Sequence, residues 1–399
     1  MAGAIPFAGF YHLTFTDTAN GTALSAKSSA FAADPAVATV TRDLVLAQST
    51  LAPMRPHDTD IEMLDPSTTY KEFFGLTADM PLGADGKWAF QKTGVFDAWD
   101  AIYAQNSPMT RVVIGVIDGR IVQNVVFPGL AFAGGHDLRI WQTEPADSPT
   151  VKHGTAVAAI IGAPNDGKGM NGILSGLKCI DYDIAPMAVT ETGMAPILST
   201  IPEGQLGVNA IFYGLAYSVL AGARVVNLSM GAAQAEAVRY SLTRVFRLIA
   251  QKAPDTLFVI AAGNNDVDAA TFFPASSART DEDTQAPNVM SIAAVDESDA
   301  QAVWFNPAMP TMKLGASNHD DRHNGSVTLA APGVKELSEL PDGSLTMFSG
   351  TSGAAPMVSG AAGCCSRSFR LSRERWRRRS WSIIHSRSPM PVCRGGGST

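Results

Sequence analysis

The chain has 399 residues, 46% of them hydrophobic and 17% charged, with 36 Gly, 24 Pro and 4 Cys. That composition suits a globular protein with a large core, and it excludes a collagen-like chain, a wholly disordered one and a disulfide scaffold. The formal net charge of −7 disfavours a nucleic-acid binder, and no run of 18 apolar residues marks a membrane-spanning helix.

The charge is unevenly spread. Residues 364–399 hold nine Arg against Glu374 alone, a net of +8, whereas residues 1–363 hold 21 basic and 36 acidic side chains, a net of −15.

In chain order, the opening MAGAIPFAGFYHLTF lacks the basic start, long apolar stretch and small-residue cleavage site of a signal peptide. Residues 8–48 read as a small α/β unit: alternation at Tyr11, Leu13 and Phe15, a small-residue helical stretch from Ala23 to Ala33, and a β-branched run from Val37 to Val45. Residues 49–85, with Pro53, Pro56, Pro66 and Pro81 and little periodicity, read as a linker. From about residue 86 apolar runs at 111–117, 178–185, 223–230, 256–262 and 288–295 predict buried strands. Small-residue helices are predicted near 153–163, 207–221 and 234–252. Continuous apolar strands alternating with helices imply an α/β fold, a mostly parallel, doubly wound sheet covered on both faces in three layers. Ligands in such sheets bind beyond the C-terminal strand ends.

Four motifs fall at strand ends or helix starts. RVVIGVIDGR ends a strand in Asp118. HGTAVAAIIGA places His153 at a helix N-terminus, where the dipole disfavours the imidazolium and a partner carboxylate is needed to support it. FVIAAGNND ends a strand before Asn264, a side-chain amide suited to stabilising an oxyanion. FSGTSGAAPMVSGAAG puts Ser352 ahead of a helix beginning at Gly353–Ala355, with Pro356 in the first turn. Singly, the first and third are better read as ordinary turns, and a lone His at a helix start is more often structural. Together they supply a nucleophile, a base, a group to orient the base and an oxyanion donor, the set that nucleophilic acyl transfer needs.

On these motifs, together with VVNLSMG (225–231), residues 86–363 resemble the subtilisin-like serine proteases. The resemblance implies a serine endopeptidase in which Ser352 is the nucleophile, His153 the general base and then acid, and Asp118 the group orienting His153. It further implies that Asn264 and the Ser352 backbone N–H donate to the oxyanion, and that Ser229, Met230 and Gly231 pair with an extended peptide substrate. Residues 9–43 resemble the second half of a subtilase propeptide, so residues 1–48 are expected to form a partial propeptide, an inhibitor-like partner of the peptidase domain. Family members often bind structural Ca²⁺, for which no ligands are assignable. No other cofactor is expected, and the resemblance implies a secreted or cell-envelope location.

Two features depart from the family. Asp118-Gly119-Arg120 stands where a hydroxyl residue usually follows the acid, and Arg120 folding back would weaken the support for a cationic His153. After Gly363 the expected apolar helix gives way to an Arg-, Ser- and Cys-rich segment without Lys. A basic binding arm and a natural disordered extension both compete with a reading-frame shift near Gly363, which best explains that composition. These departures leave a rival function open, a catalytically impaired subtilase-like binding module. A third class, an α/β-hydrolase esterase, predicts a G-x-S-x-G elbow and the order Ser, acid, His, neither of which the sequence has. HDDRHNG (319–325) and NDGKGMNG (165–172) read as loops rather than metal sites.

Overall fold

A computed structural model describes residues 3–5, 10–12, 28–33, 37, 45–47, 88–104, 112–119, 121, 149–163, 170–174, 183–188, 205–281, 285–306, 309–321 and 323–365. The linker at 49–85, the arginine-rich segment from 366 onward, Arg120, Arg322, residues 164–169 and most of the N-terminal unit lie outside the described residues.

Six parallel strands form the central sheet. They are β1 (Val113–Asp118), β2 (Asp183–Ala188), β3 (Val225–Leu228), β4 (Leu257–Ala261), β5 (Val289–Val295) and β6 (Leu329–Pro332). Their spatial order is β6-β5-β4-β3-β1-β2, and every neighbouring pair among them is parallel. Besides short helices at Trp88–Lys92 and at residues 28–32, the longer helices among the described residues are α1 (Val95–Ala104), α2 (Pro149–Gly162), α3 (Val208–Leu220), α4 (Glu236–Lys252) and α5 (Thr351–Cys365).

Side chains along β1, β3, β4 and β5 alternate between two separate cores. Ile114, Val116, Leu257, Val259, Met290 and Ile292 join one, with residues of α1, α2 and α5. Ile117, Val226, Leu228, Phe258, Ile260 and Val289 join the other, with residues of α3 and α4. The strands are continuous in hydrophobicity because both faces are covered, and the protein is the three-layer doubly wound α/β fold expected of the pattern.

The order of the strands reverses between β2-β1 and β3, which places a topological switch point at the C-terminal ends of β1 and β3. Crevices at such points are where open α/β sheets bind ligands. Asp118 is the last residue of β1, and Ser229 follows β3 directly.

The second strand and the N-terminal unit differ from the sequence reading. The second strand runs 183–188 rather than 178–185, in register with β1 from Val113↔Asp183 to Asp118↔Ala188. It contains Pro186, which an edge strand tolerates because one side needs no N–H donor. The N-terminal unit contributes Gly3–Ile5 paired antiparallel with Phe10–His12, and Val45–Ala47 paired antiparallel with Gln205–Gly207 just ahead of α3.

Candidate active site

Asp118 and His153 meet below the surface. His153 Nδ1 lies 2.7 Å from Asp118 Oδ1, and the two residues are 1% and 0% exposed. The same Oδ1 accepts a hydrogen bond from the Gly119 N–H at 2.7 Å, so the carboxylate is held by its own strand end while it faces the imidazole. Gly154 is required by this approach: a Cβ there would collide with the carbonyl oxygen of Gly119.

Helix α2 begins at Pro149, one turn earlier than the sequence reading. Proline suits the first helical position, where its fixed φ is preorganised and no N–H is needed. His153 therefore sits a full turn inside the helix, and the dipole effect expected of an N-terminal imidazole is weakened because it fades within the first turn. Orientation by Asp118 is what remains. His153 Nε2 is buried and has no hydrogen-bond partner among the described residues.

Ser352 is the second residue of α5, which starts at Thr351 rather than Gly353, so Pro356 lies in the second turn rather than the first. A proline there cannot donate to the carbonyl four residues back, which is that of Ser352. The hydroxyl of Ser229 donates to it instead, at 3.1 Å, while Ser352 Oγ donates to the Ser229 carbonyl, also at 3.1 Å. Ser229 is in turn held by Asn227 Nδ2 at 3.0 Å, and Asn227 Oδ1 accepts from Ser359 Oγ at 2.9 Å. This buried chain of hydrogen bonds ties the end of β3 to the first turns of α5. Ser229 thus positions the helix that carries Ser352, in addition to the substrate-pairing role expected of it. Replacing Ser229 with alanine removes the donor to a buried carbonyl and the acceptor of a buried amide. We expect a loss of about 1–3 kcal/mol, read as a lower urea midpoint at unchanged slope; an unaltered midpoint would deny Ser229 this positioning role.

Asn264 lies three residues beyond β4. Its Oδ1 accepts from both the backbone N–H and the hydroxyl of Thr351, each at 2.9 Å. A backbone N–H can only donate, so the amide atom facing it is oxygen and Nδ2 is turned the other way. Thr351 Oγ1 also accepts from the Gly263 N–H at 3.1 Å, locking the strand end to the helix start. Gly350, at φ 137°, keeps the space ahead of these donors open. A Cβ there would lie 3.2 Å from Asn264 Nδ2 and 3.6 Å from the Ser352 nitrogen, so the two expected oxyanion donors border one point, which a side chain would fill.

A hairpin of β7 (Glu336–Glu339) and β8 (Leu345–Phe348) closes the site from the side of α2. Ser338 Oγ donates to the Ala156 carbonyl at 2.7 Å, and the Phe348 ring meets the His153 ring edge-on, with centroids 5.6 Å apart. Across the hairpin from Phe348 stands Glu336, 1% exposed. Neither of its carboxyl oxygens has a hydrogen-bond partner among the described residues, and burial pushes its pKa well above the usual carboxylate range. Oε2 occupies the space that a Cβ at Gly353 would take.

The structure thus joins Asp118 to His153 and gathers Asn264, Gly350 and Ser352 around one point. It does not join Ser352 to His153, since Ser352 Oγ is turned to the Ser229 carbonyl. Asn227, Thr351 and Glu336 escaped the sequence reading as site residues. Thr351 was visible beside Ser352, but the other two carry no local signal.

Among the described residues no group of three His, Cys, Asp or Glu side chains gathers as a metal site. In the 319–325 loop both Asp320 carboxyl oxygens accept backbone N–H groups, those of Asn324 and Gly325.

Comparison with known proteins bears on this arrangement. Alkaline elastase YaB of Bacillus sp. (strain YaB) is 23% identical over 312 residues, covering 77% of this chain and 66% of that protein. An alkaline protease of Shouchella clausii is 25% identical over 311 residues, with the same coverage of 77% and 66%. The cell wall-associated protease of Bacillus subtilis (strain 168) is 29% identical over 212 residues, 53% of this chain and 18% of that one. The chain therefore spans less than two thirds of the length of each of these relatives. A crystal structure of a cold adapted subtilisin-like serine proteinase aligns with a TM-score of 0.44 at 20% identity, over 68% of this chain and 81% of that one. The subtilase family description (peptidase S8) matches residues 110–377, most of the chain, and the chain belongs to the subtilase family.

Proposed function

We propose that the chain is a serine endopeptidase that hydrolyses peptide bonds through an acyl-enzyme on Ser352. The observation that carries this reading is the buried contact between His153 Nδ1 and Asp118 Oδ1, which leaves Nε2 as the base for a nucleophile at the start of α5. Rotation about the Ser352 side-chain bond turns Oγ from the Ser229 carbonyl to His153, a link that often tightens only when substrate is bound. Oγ then attacks the scissile carbonyl and its proton passes to Nε2. Asp118 stabilises the resulting imidazolium, and that proton goes on to the leaving amine. A water repeats the sequence and releases the acid. Asn264 Nδ2 and the Ser352 N–H receive the oxyanion. Loss of such a side-chain donor costs roughly 10²–10³ in rate, the scale found in subtilisin itself.

Ser229–Gly231 takes the peptide as an added strand, with main-chain hydrogen bonds holding it. Ser229 and Met230 are buried, so the segment offers its backbone rather than its side chains. The peptidase domain is residues 86–363, and residues 1–48 act as a propeptide partner, a reading supported by the pairing of Val45–Ala47 with Gln205–Gly207. An extracellular or envelope location follows from the family, and no helix among the described residues is long and apolar enough to cross a membrane.

A fluorophosphonate probe is expected to label the full chain at Ser352, and Ser352→Ala to abolish labelling and casein cleavage together. Labelling that survives the substitution removes Ser352 from the role. A folded chain that takes no label favours a non-enzymatic binding module.

A further inference from the structure

We propose that Phe272 closes the pocket for the side chain of the residue preceding the scissile bond, restricting the enzyme to peptides with Gly, Ala or Ser there. The inference rests on the acyl-enzyme reading above.

The carbonyl of that residue is fixed by three groups: its carbon at Ser352 Oγ, its oxygen between Asn264 Nδ2 and the Ser352 nitrogen. Its backbone pairs with Ser229–Gly231. The side chain it carries therefore enters the gap between two segments, Ser229–Gly231 after β3 and Gly263–Asn264 after β4. Both segments bear a glycine where they face this gap, which by itself suggests a roomy cleft.

The ring of Phe272 takes that room. A Cβ on Gly231 would come within 2.6 Å of Phe272 Cε1, and a Cβ on Gly263 within 2.8 Å of the same atom and 2.9 Å of Cζ. Asn318 Nδ2 also meets the Gly263 position, and the Phe273 carbonyl the Gly231 position at 2.7 Å, but the phenyl ring is the group common to both. The two glycines thus make way for the protein's own atoms rather than for substrate. The ring cannot swing out freely, because its backbone is held. Phe272 and Phe273 pair antiparallel with Ala233 and Ala232, the residues that continue directly from the substrate segment. The side chain is 5% exposed and belongs to the core shared with α3 and α4. A large substrate side chain would have to displace a packed ring between two strand ends.

The test uses two chromogenic peptides that differ only in having Ala or Phe before the scissile bond, with fluorophosphonate labelling of Ser352 as the measure of a competent site. For the full chain, kcat/KM for the Ala peptide is expected to exceed that for the Phe peptide at least about tenfold, since even one misplaced methylene in such a pocket shifts it by about tenfold or more. Phe272→Ala should move the ratio toward the Phe peptide by a further factor of about ten or more while Ser352 still labels. Phe272→Leu, which keeps most of the packing, should move it part of the way. Equal rates on the two peptides by the native chain overturn the proposal, as does an unchanged ratio in a variant that labels normally. Should Phe272→Ala fail to fold, the native ratio and Phe272→Leu decide. A native chain that neither labels nor cleaves overturns the acyl-enzyme reading and this one with it, whereas labelling without selectivity overturns this one alone.

Discussion

Replacing Asp118 with asparagine is expected to lower kcat by roughly 10⁴-fold, the scale on which subtilisin slows when its triad aspartate is removed, with KM for a peptide little changed. The geometry explains why shape alone will not rescue the variant. Asp118 Oδ1 accepts from the Gly119 N–H and faces His153 Nδ1, both at 2.7 Å. The Gly119 N–H can only donate, so the amide oxygen of the replacement is held at the place of Oδ1 and the contact survives. What disappears is the negative charge facing an imidazole that becomes cationic during the reaction. Both residues are essentially inaccessible to water, so no solvent substitutes for that charge, and an unpaired buried cation is costly. Labelling of Ser352 should slow in parallel with kcat, because it needs the same proton transfer. A fall of less than tenfold would mean that Asp118 does not support the imidazolium.

The residues legible in the sequence were those whose signal is local. Asp118, His153, Asn264 and Ser352 each sit at the end of an apolar run or the start of a small-residue helix, and a parallel sheet brings such ends to one rim. The core strands were legible because both faces are buried and the runs are unbroken. Helix starts were misplaced by a few residues at α2 and α5. There the cues were a proline that begins one helix and a proline that lies inside the other, and tertiary contacts settled what local propensity could not. At α5 the carbonyl orphaned by Pro356 is served by Ser229, from a different strand. Phe272 and Glu336 were not legible at all. The importance of each comes from a glycine elsewhere in the chain, Gly231 and Gly263 for the ring and Gly353 for the carboxyl, and no periodicity encodes such a meeting. Arg120 lies outside the described residues, so its expected effect on Asp118 awaits the kinetics of its own replacement.

The other large effect is on stability and its dependence on pH, and it lies at Glu336. Burial raises the pKa of this carboxyl well above its ordinary 4.5, so the folded chain keeps a proton that the unfolded chain releases. From about pH 4.5 up to the raised value the unfolded state therefore binds fewer protons, and stability falls as pH rises. The contribution is fully present below the ordinary value and is lost through the raised one. Glu336→Gln keeps the shape and never titrates, so its urea midpoint should rise relative to the native chain between pH 5 and pH 9. Only that slope is diagnostic, because the amide brings buried donors of its own. Glu336→Leu fills the same space beside Gly353 without polar atoms. It should be more stable at every pH, by about 1–3 kcal/mol for an unpartnered buried group, with the gap widening as pH rises above the ordinary value of 4.5. Midpoints that run parallel across this range would mean that the carboxyl does not hold its proton in the fold. The position also matters for the reaction. Glu336 pairs across the hairpin with Phe348, whose ring packs edge-on against His153. A protonated Glu336 leaves Asp118 as the carboxylate facing His153, and Glu336→Gln should accordingly leave the neutral-pH rate close to native.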